Sequence, residues 1–216
     1  MQPTLVSLEP NLPLALDDPT TLDMLKRPRL SLFWGAETPT RVLLAALTMM
    51  AARGQQVRVF DGGNRFDGYF TARLARRLSP DPYAILERVR LSRAFTCFQL
   101  AQLIENAPAA GVPAVEAPAG SGAITQPAEV LFVLDLLSTF YDESVPLRDA
   151  ERLLTDTIAH LKRLAAAGPV IVGAREPRVL VKERWSLLDQ LQVAADAAWL
   201  LRSPESAERE QLRLFG

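Results

Sequence analysis

Residues 30–47, LSLFWGAETPTRVLLAAL, set a glycine and a short polar turn between an apolar strand and an apolar helix. That is the outline of a phosphate-binding loop, because free backbone N–H groups and the helix dipole attract anions at a helix start. The glycine–lysine–hydroxyl ending that lets such a loop grip a nucleotide with its Mg²⁺ is missing. Three other stretches carry groups able to do chemistry. Asp135 closes the apolar run EVLFVLD, Asp61 closes the alternating run QVRVFD before a GGN turn, and GAREPRVLVKER (173–184) brings Arg175, Arg178, Lys182 and Arg184 close together. A basic run suits phosphate.

The rest of the composition narrows the choices. The single cysteine, Cys97, rules out an intramolecular disulfide or a cysteine-based metal cluster, and the single histidine, His160, argues against His-rich metal sites and a Ser–His–Asp site. Lys and Arg number 24 against 25 Asp and Glu, so any nucleic-acid-binding surface has to be local. An apolar fraction of 49% supports a substantial core, and no apolar run approaches a membrane span. The first residues, MQPTLVSLEPNLPLALDD, lack a basic region and are broken by prolines, unlike a signal peptide, so cytoplasmic residence is expected.

Short apolar runs alternating with amphipathic stretches must position these groups. Strands are predicted at 30–34, 56–61, 88–95, 129–135 and 169–174. Helices are predicted at 39–53 (Thr38 as cap, Pro39 first), 66–78, a short segment capped by Asp81, 96–107 capped by Thr96, 147–167 and 185–195. DAAWLLR and QLRLF read as two final strands, a hairpin across SPESAERE. Residues 1–27 are proline-rich and read as an arm that packs on its own domain or a partner; residues 107–128 read as a flexible Ala/Pro/Gly-rich loop. Alternating strands and helices predict an α/β fold whose mostly parallel sheet is covered on both faces, with ligands beyond the carboxyl ends of the strands.

Four motifs in order, the strand–Gly–turn–helix at 30–47, VFDGGNRF (59–66), LSRAFTCFQLAQLIE (91–105) and VLFVLDLLSTFYDE (130–143) before a long helix and GPVIVGA, resemble the RecA-type recombinase superfamily and its KaiC-like relatives. The resemblance covers about residues 28–202 and implies a RecA-like P-loop domain over 28–216, preceded by the arm. It places Gly35 at the first glycine of Walker A, with Thr40, Arg41 and Val42 where glycine, lysine and the Mg²⁺-binding hydroxyl stand. Asp135 takes the Walker B aspartate, and Gly63 falls where the family has its water-activating glutamate. A threonine Cβ crowds backbone meant to curl around phosphate, arginine is longer and planar, valine has no oxygen for Mg²⁺, and Glu37 opposes a triphosphate.

The resemblance therefore implies a pseudo-ATPase, its vestigial nucleotide site made of Gly35, Thr40, Arg41 and Asp135, with no catalytic residue and no protein-bound metal. No cofactor is expected; ATP with Mg²⁺ would be held weakly at most. The function implied is that of an accessory protein in DNA recombination or repair. Its partner would be a RecA-like or other repair protein, with single-stranded DNA contacted through Arg175, Arg178, Lys182 and Arg184, and no membrane is involved. Two readings stay open beside it: a divergent ATPase using Arg41 and Asp135, and a KaiC-like regulatory module without a DNA role. Trp34 is expected to fill space beside the degenerate loop. Arg58, Arg65, Arg73, Arg76 and Arg77 read as a solvated basic face, Arg93 as an anchor for the sheet edge or a carboxylate, and Phe140, Tyr141 and Cys97 as core.

Overall fold

The apolar and alternating runs pair side by side as one parallel sheet. The computed structural model describes residues 6–8, 23–36, 39–108 and 129–201. Along the chain come β1 (Val6–Leu8), β2 (Arg29–Gly35), α1 (Thr40–Ala52), β3 (Val57–Asp61), α2 (Gly68–Leu78), α3 (Pro82–Leu86) and β4 (Val89–Arg93). Then follow α4 (Cys97–Glu105), β5 (Val130–Leu134), α5 (Leu147–Ala167), β6 (Pro169–Arg175), α6 (Trp185–Ala194) and β7 (Ala197–Leu201), with 3₁₀ turns at Leu136–Ser138 and Val179–Arg184. The order across the sheet is β1-β7-β2-β6-β5-β3-β4. Six strands, β2 to β7, are all parallel, and the three-residue β1 adds in parallel on the outer side of β7.

Local chemistry fixes several boundaries. The Asp81 and Thr96 side chains cap α3 and α4 as expected, accepting from Ala84 N at 3.3 Å and Gln99 N at 3.2 Å. Helix α2 begins two residues later than Phe66 because Asp67 is its cap, accepting from Phe70 N at 2.8 Å. Helix α1 starts at Thr40 behind Pro39, whose fixed φ suits a helix entrance. The predicted cap Thr38, the acidic Glu37, most of the 107–128 loop and most of the arm lie outside the described residues.

Alternation along the strands divides the core between two faces. Phe33, Val59, Phe132, Leu134 and Ile171 face α1, α2 and α3, meeting Leu43, Leu47, Met50, Ala75 and Ile85. Leu30, Leu32, Val133, Val170 and Val172 face α4, α5 and α6, meeting Leu100, Leu154, Leu161 and Leu187. A parallel sheet covered on both faces needs apolar residues at nearly every strand position, as β5 shows with all five of its residues buried. Each such Leu, Ile or Phe contributes about 1.5–3 kcal/mol of burial.

Two expectations are corrected here. Among the described residues β7 has no antiparallel partner: it enters after the crossover helix α6, and both its edges carry parallel partners, β2 and β1. The predicted second hairpin strand, 211–215, lies outside the described residues. Trp34 does not fill the loop region. It shares the strand face of Leu30 and Leu32 and packs against the α4–α6 side of the core, across the sheet from α1. The arm instead contributes β1, which pairs Val6–Leu8 with Trp199–Leu201 of its own domain.

Candidate functional site

The carboxyl ends of β2, β3, β5 and β6 meet at one rim of the sheet. Strand β2 ends at Gly35, paired with Arg175 of β6, and the Gly35 carbonyl accepts from Glu176 N at 2.9 Å. Strand β3 ends at Asp61, which is fully buried. Its carboxylate accepts from Arg65 N at 2.8 Å and Phe66 N at 2.9 Å, folding the GGNRF segment back over itself with Asn64 at φ 53. Arg93 Nε lies 3.5 Å from the same carboxylate, so Arg93 anchors an acid at the sheet edge. Asp61 is thereby spent on holding a loop.

That loop carries Arg65 to Asp135. Asp135 follows β5 in the left-handed region, φ 51 and ψ 53, and is fully buried. A non-glycine residue in that region costs on the order of 1 kcal/mol, less for aspartate than for most. Its Oδ2 accepts from Arg65 Nε at 3.4 Å and lies 3.6 Å from Arg175 Nε. Arg175 is fixed in turn: Nη2 donates to Ser138 Oγ at 3.0 Å, and its carbonyl accepts from the Tyr141 hydroxyl at 2.8 Å. Burial, then the nearby Asp135 carboxylate, raise the Tyr141 phenol far above its ordinary pKa, so it remains a donor.

In front of these groups lies an open cleft of about 480 Å³, lined among others by Thr40, Arg41, Arg65, Asp67 and Arg175. Among the described residues, three arginines line it against one carboxylate, that of Asp67, which is engaged as the α2 cap. The cleft is therefore electropositive and invites an anion while opposing a metal cation. At an effective dielectric of about 20, a unit charge 4 Å away is worth about 4 kcal/mol, so Mg²⁺ reaching Asp135 past two guanidinium groups meets a large penalty.

The described residues do not fit a Mg²⁺-nucleotide. Val42 packs against the apolar core beside α1 and has no oxygen to offer. The Asp135 carboxylate is already flanked by two cations. At Gly63 a Cβ would stand 2.6 Å from both Cβ and Oδ2 of Asp135, leaving no room for an acid. No hydrolytic step follows from this arrangement.

Of the predicted nucleotide-site residues, Thr40 and Arg41 line the cleft, Asp135 stands behind its arginines, and Gly35 closes a strand. Three of the four predicted DNA-contacting residues stay accessible: Arg175 lines the cleft and, together with Arg178, a neighbouring depression that also holds Asp142 and Glu143, and Lys182 is exposed. Arg184 is a correction: it is 3% exposed, with Nη1 donating to Phe140 O at 2.7 Å and Nη2 to Val145 O at 2.6 Å. A guanidinium spent on two carbonyls cannot meet DNA. Arg65, read earlier as helix surface, is the residue the sequence reading missed; its only signal was its position two residues after Gly63. Phe140 and Tyr141 are core, and burial pushes the Cys97 thiol up, leaving it a small apolar group. The sequence matches no protein-family model and no curated protein.

Proposed function

We propose that this chain is a RecA-like pseudo-ATPase, an accessory protein that works by binding and not by turnover, in DNA recombination or repair. The observation that carries the non-hydrolytic part is Asp135 held by Arg65 and Arg175 where a hydrated Mg²⁺ would be needed. The room at Gly63 supports it, since a carboxylate able to activate water has no space there. The all-parallel α/β sheet, with the degenerate loop and Asp135 at one rim, is compatible with a P-loop-like domain. The DNA pathway and the RecA-like partner rest on the motif resemblance alone. Among the described residues no helix is long and apolar enough to cross a membrane.

The test is phosphate release from Mg-ATP and Mg-GTP by the purified chain, with and without single-stranded DNA. The expected rate equals that of buffer. Release above buffer that disappears in Asp135→Asn would overturn the proposal and favour a divergent ATPase.

A further inference from the structure

The two halves of the described chain differ in charge. Residues 39–108 hold ten arginines, no lysine and five carboxylates, whereas residues 129–201 hold eight cations and eleven carboxylates. Helix α4, from the same half, covers the other face, but the stretches that form α1, α2 and α3 and their ends, 39–53 and 65–88, hold seven arginines against Asp67, Asp81 and Glu87, so the face they cover is the basic one. Of the carboxylates on this face, Asp67 and Asp81 are committed as helix caps.

The charge is concentrated on α2. Thr71 and Ala75 face the core, and at 3.6 residues per turn Tyr69, Arg73, Arg76 and Arg77 fall within about 100° of one another on the opposite side. The three arginines are exposed and make no ion pair with a carboxylate among the described residues. Tyr69 is 85% exposed, and Tyr83 on the neighbouring α3 is 75% exposed. The helix itself contains no acid. Its N-terminal end adjoins Arg65, so the stripe continues from the arginine cleft outward for about 12 Å along the helix, at 1.5 Å per residue.

We infer that the outer face of α2, through Arg73, Arg76, Arg77 and Tyr69, binds a single-stranded nucleic acid. Guanidinium groups pair with backbone phosphates, and an exposed tyrosine offers a flat face on which an unpaired base stacks. The stripe carries no aliphatic side chain to enter a bilayer, and an acidic peptide would leave the aromatic face without a partner. The inference rests on the binding-protein reading for its ligand class, but it uses none of Arg175, Arg178 and Lys182.

Fluorescence anisotropy with a labelled oligothymidylate of about 20 nucleotides tests it, since such surfaces cover several nucleotides at once. The Arg73→Ala/Arg76→Ala/Arg77→Ala variant is expected to bind at least about 30-fold more weakly at about 50 mM salt. Its slope of log affinity against log salt should shrink by about 2, at about 0.7 per phosphate contact. Tyr69→Ala is expected to lose about tenfold with the slope unchanged. Circular dichroism melting should show both variants folded, because the replaced side chains are exposed. No binding by the wild-type chain at low salt, or equal binding by the triple variant, would overturn the inference. So would tighter binding, through the same residues, of polyglutamate, anionic vesicles or duplex DNA. Phosphate release from Mg-ATP would sink the pseudo-ATPase reading and leave this surface standing. Loss of DNA binding only in Arg178→Ala/Lys182→Ala would do the reverse.

Discussion

Arg184→Ala is expected to lower the free energy of unfolding by about 3 kcal/mol, the sum of two buried charge-assisted hydrogen bonds less the desolvation cost the guanidinium no longer bears. The side chain spans from the 3₁₀ segment before α6 to Phe140 O and Val145 O, which flank the loop leading into α5. Without it, two carbonyl oxygens lose their donors in a site water scarcely reaches. Arg184→Lys should recover less than half, because a single ammonium cannot match a planar fork directed at two acceptors. Urea unfolding measures both. A loss below about 1 kcal/mol for the alanine variant would mean that Arg184 is not the clamp described.

Gly63→Glu, which supplies an acid at the position of the family's water-activating glutamate, is expected to destabilise the chain by about 2–4 kcal/mol and to yield no hydrolysis. The steric part is overpacking, typically about 1–3 kcal/mol. Any Cβ at residue 63 meets the Cβ and Oδ2 of Asp135, and Asp135 is itself fully buried, so neither yields cheaply. The rest is repulsion between two neighbouring carboxylates. Gly63→Ala should show the steric part alone. Thermal melting and phosphate release, run on both variants, check the pair of expectations. Stable Gly63→Glu protein would show that the space at the β3 rim is larger than the geometry indicates.

What could be read from the sequence was local. The Asp81 and Thr96 caps were legible because a capping side chain meets an amide only three residues on. Strands β2, β3, β5 and β6 were legible from runs of apolar residues bounded by turns. The direction of β7 was not, since strand direction depends on which neighbours a crossover brings alongside. The side of the sheet that Trp34 joins was within reach of strand alternation, because it follows Leu30 and Leu32 at even spacing.

The candidate site was half legible. Asp135 stood out as the acid ending an apolar strand. Its partner Arg65 lies 70 residues away in sequence, however, and only the folded GGNRF segment brings it there. Arg175 and Arg184 look alike in the sequence as members of one basic run. One ended up in the cleft and the other on two buried carbonyls, a difference set by the shape of the Val179–Arg184 turn and by no local pattern.

The central claim is that the arginines around Asp135 close the place where Mg²⁺ would sit. Isothermal titration of the chain with ATP, in the presence and absence of Mg²⁺, tests this most directly. The account predicts no Mg²⁺-dependent heat with nucleotide at about 1 mM, a concentration at which a free energy of about −4 kcal/mol would register. Micromolar binding that requires Mg²⁺, and that Arg41→Ala or Asp135→Asn abolishes, would contradict it.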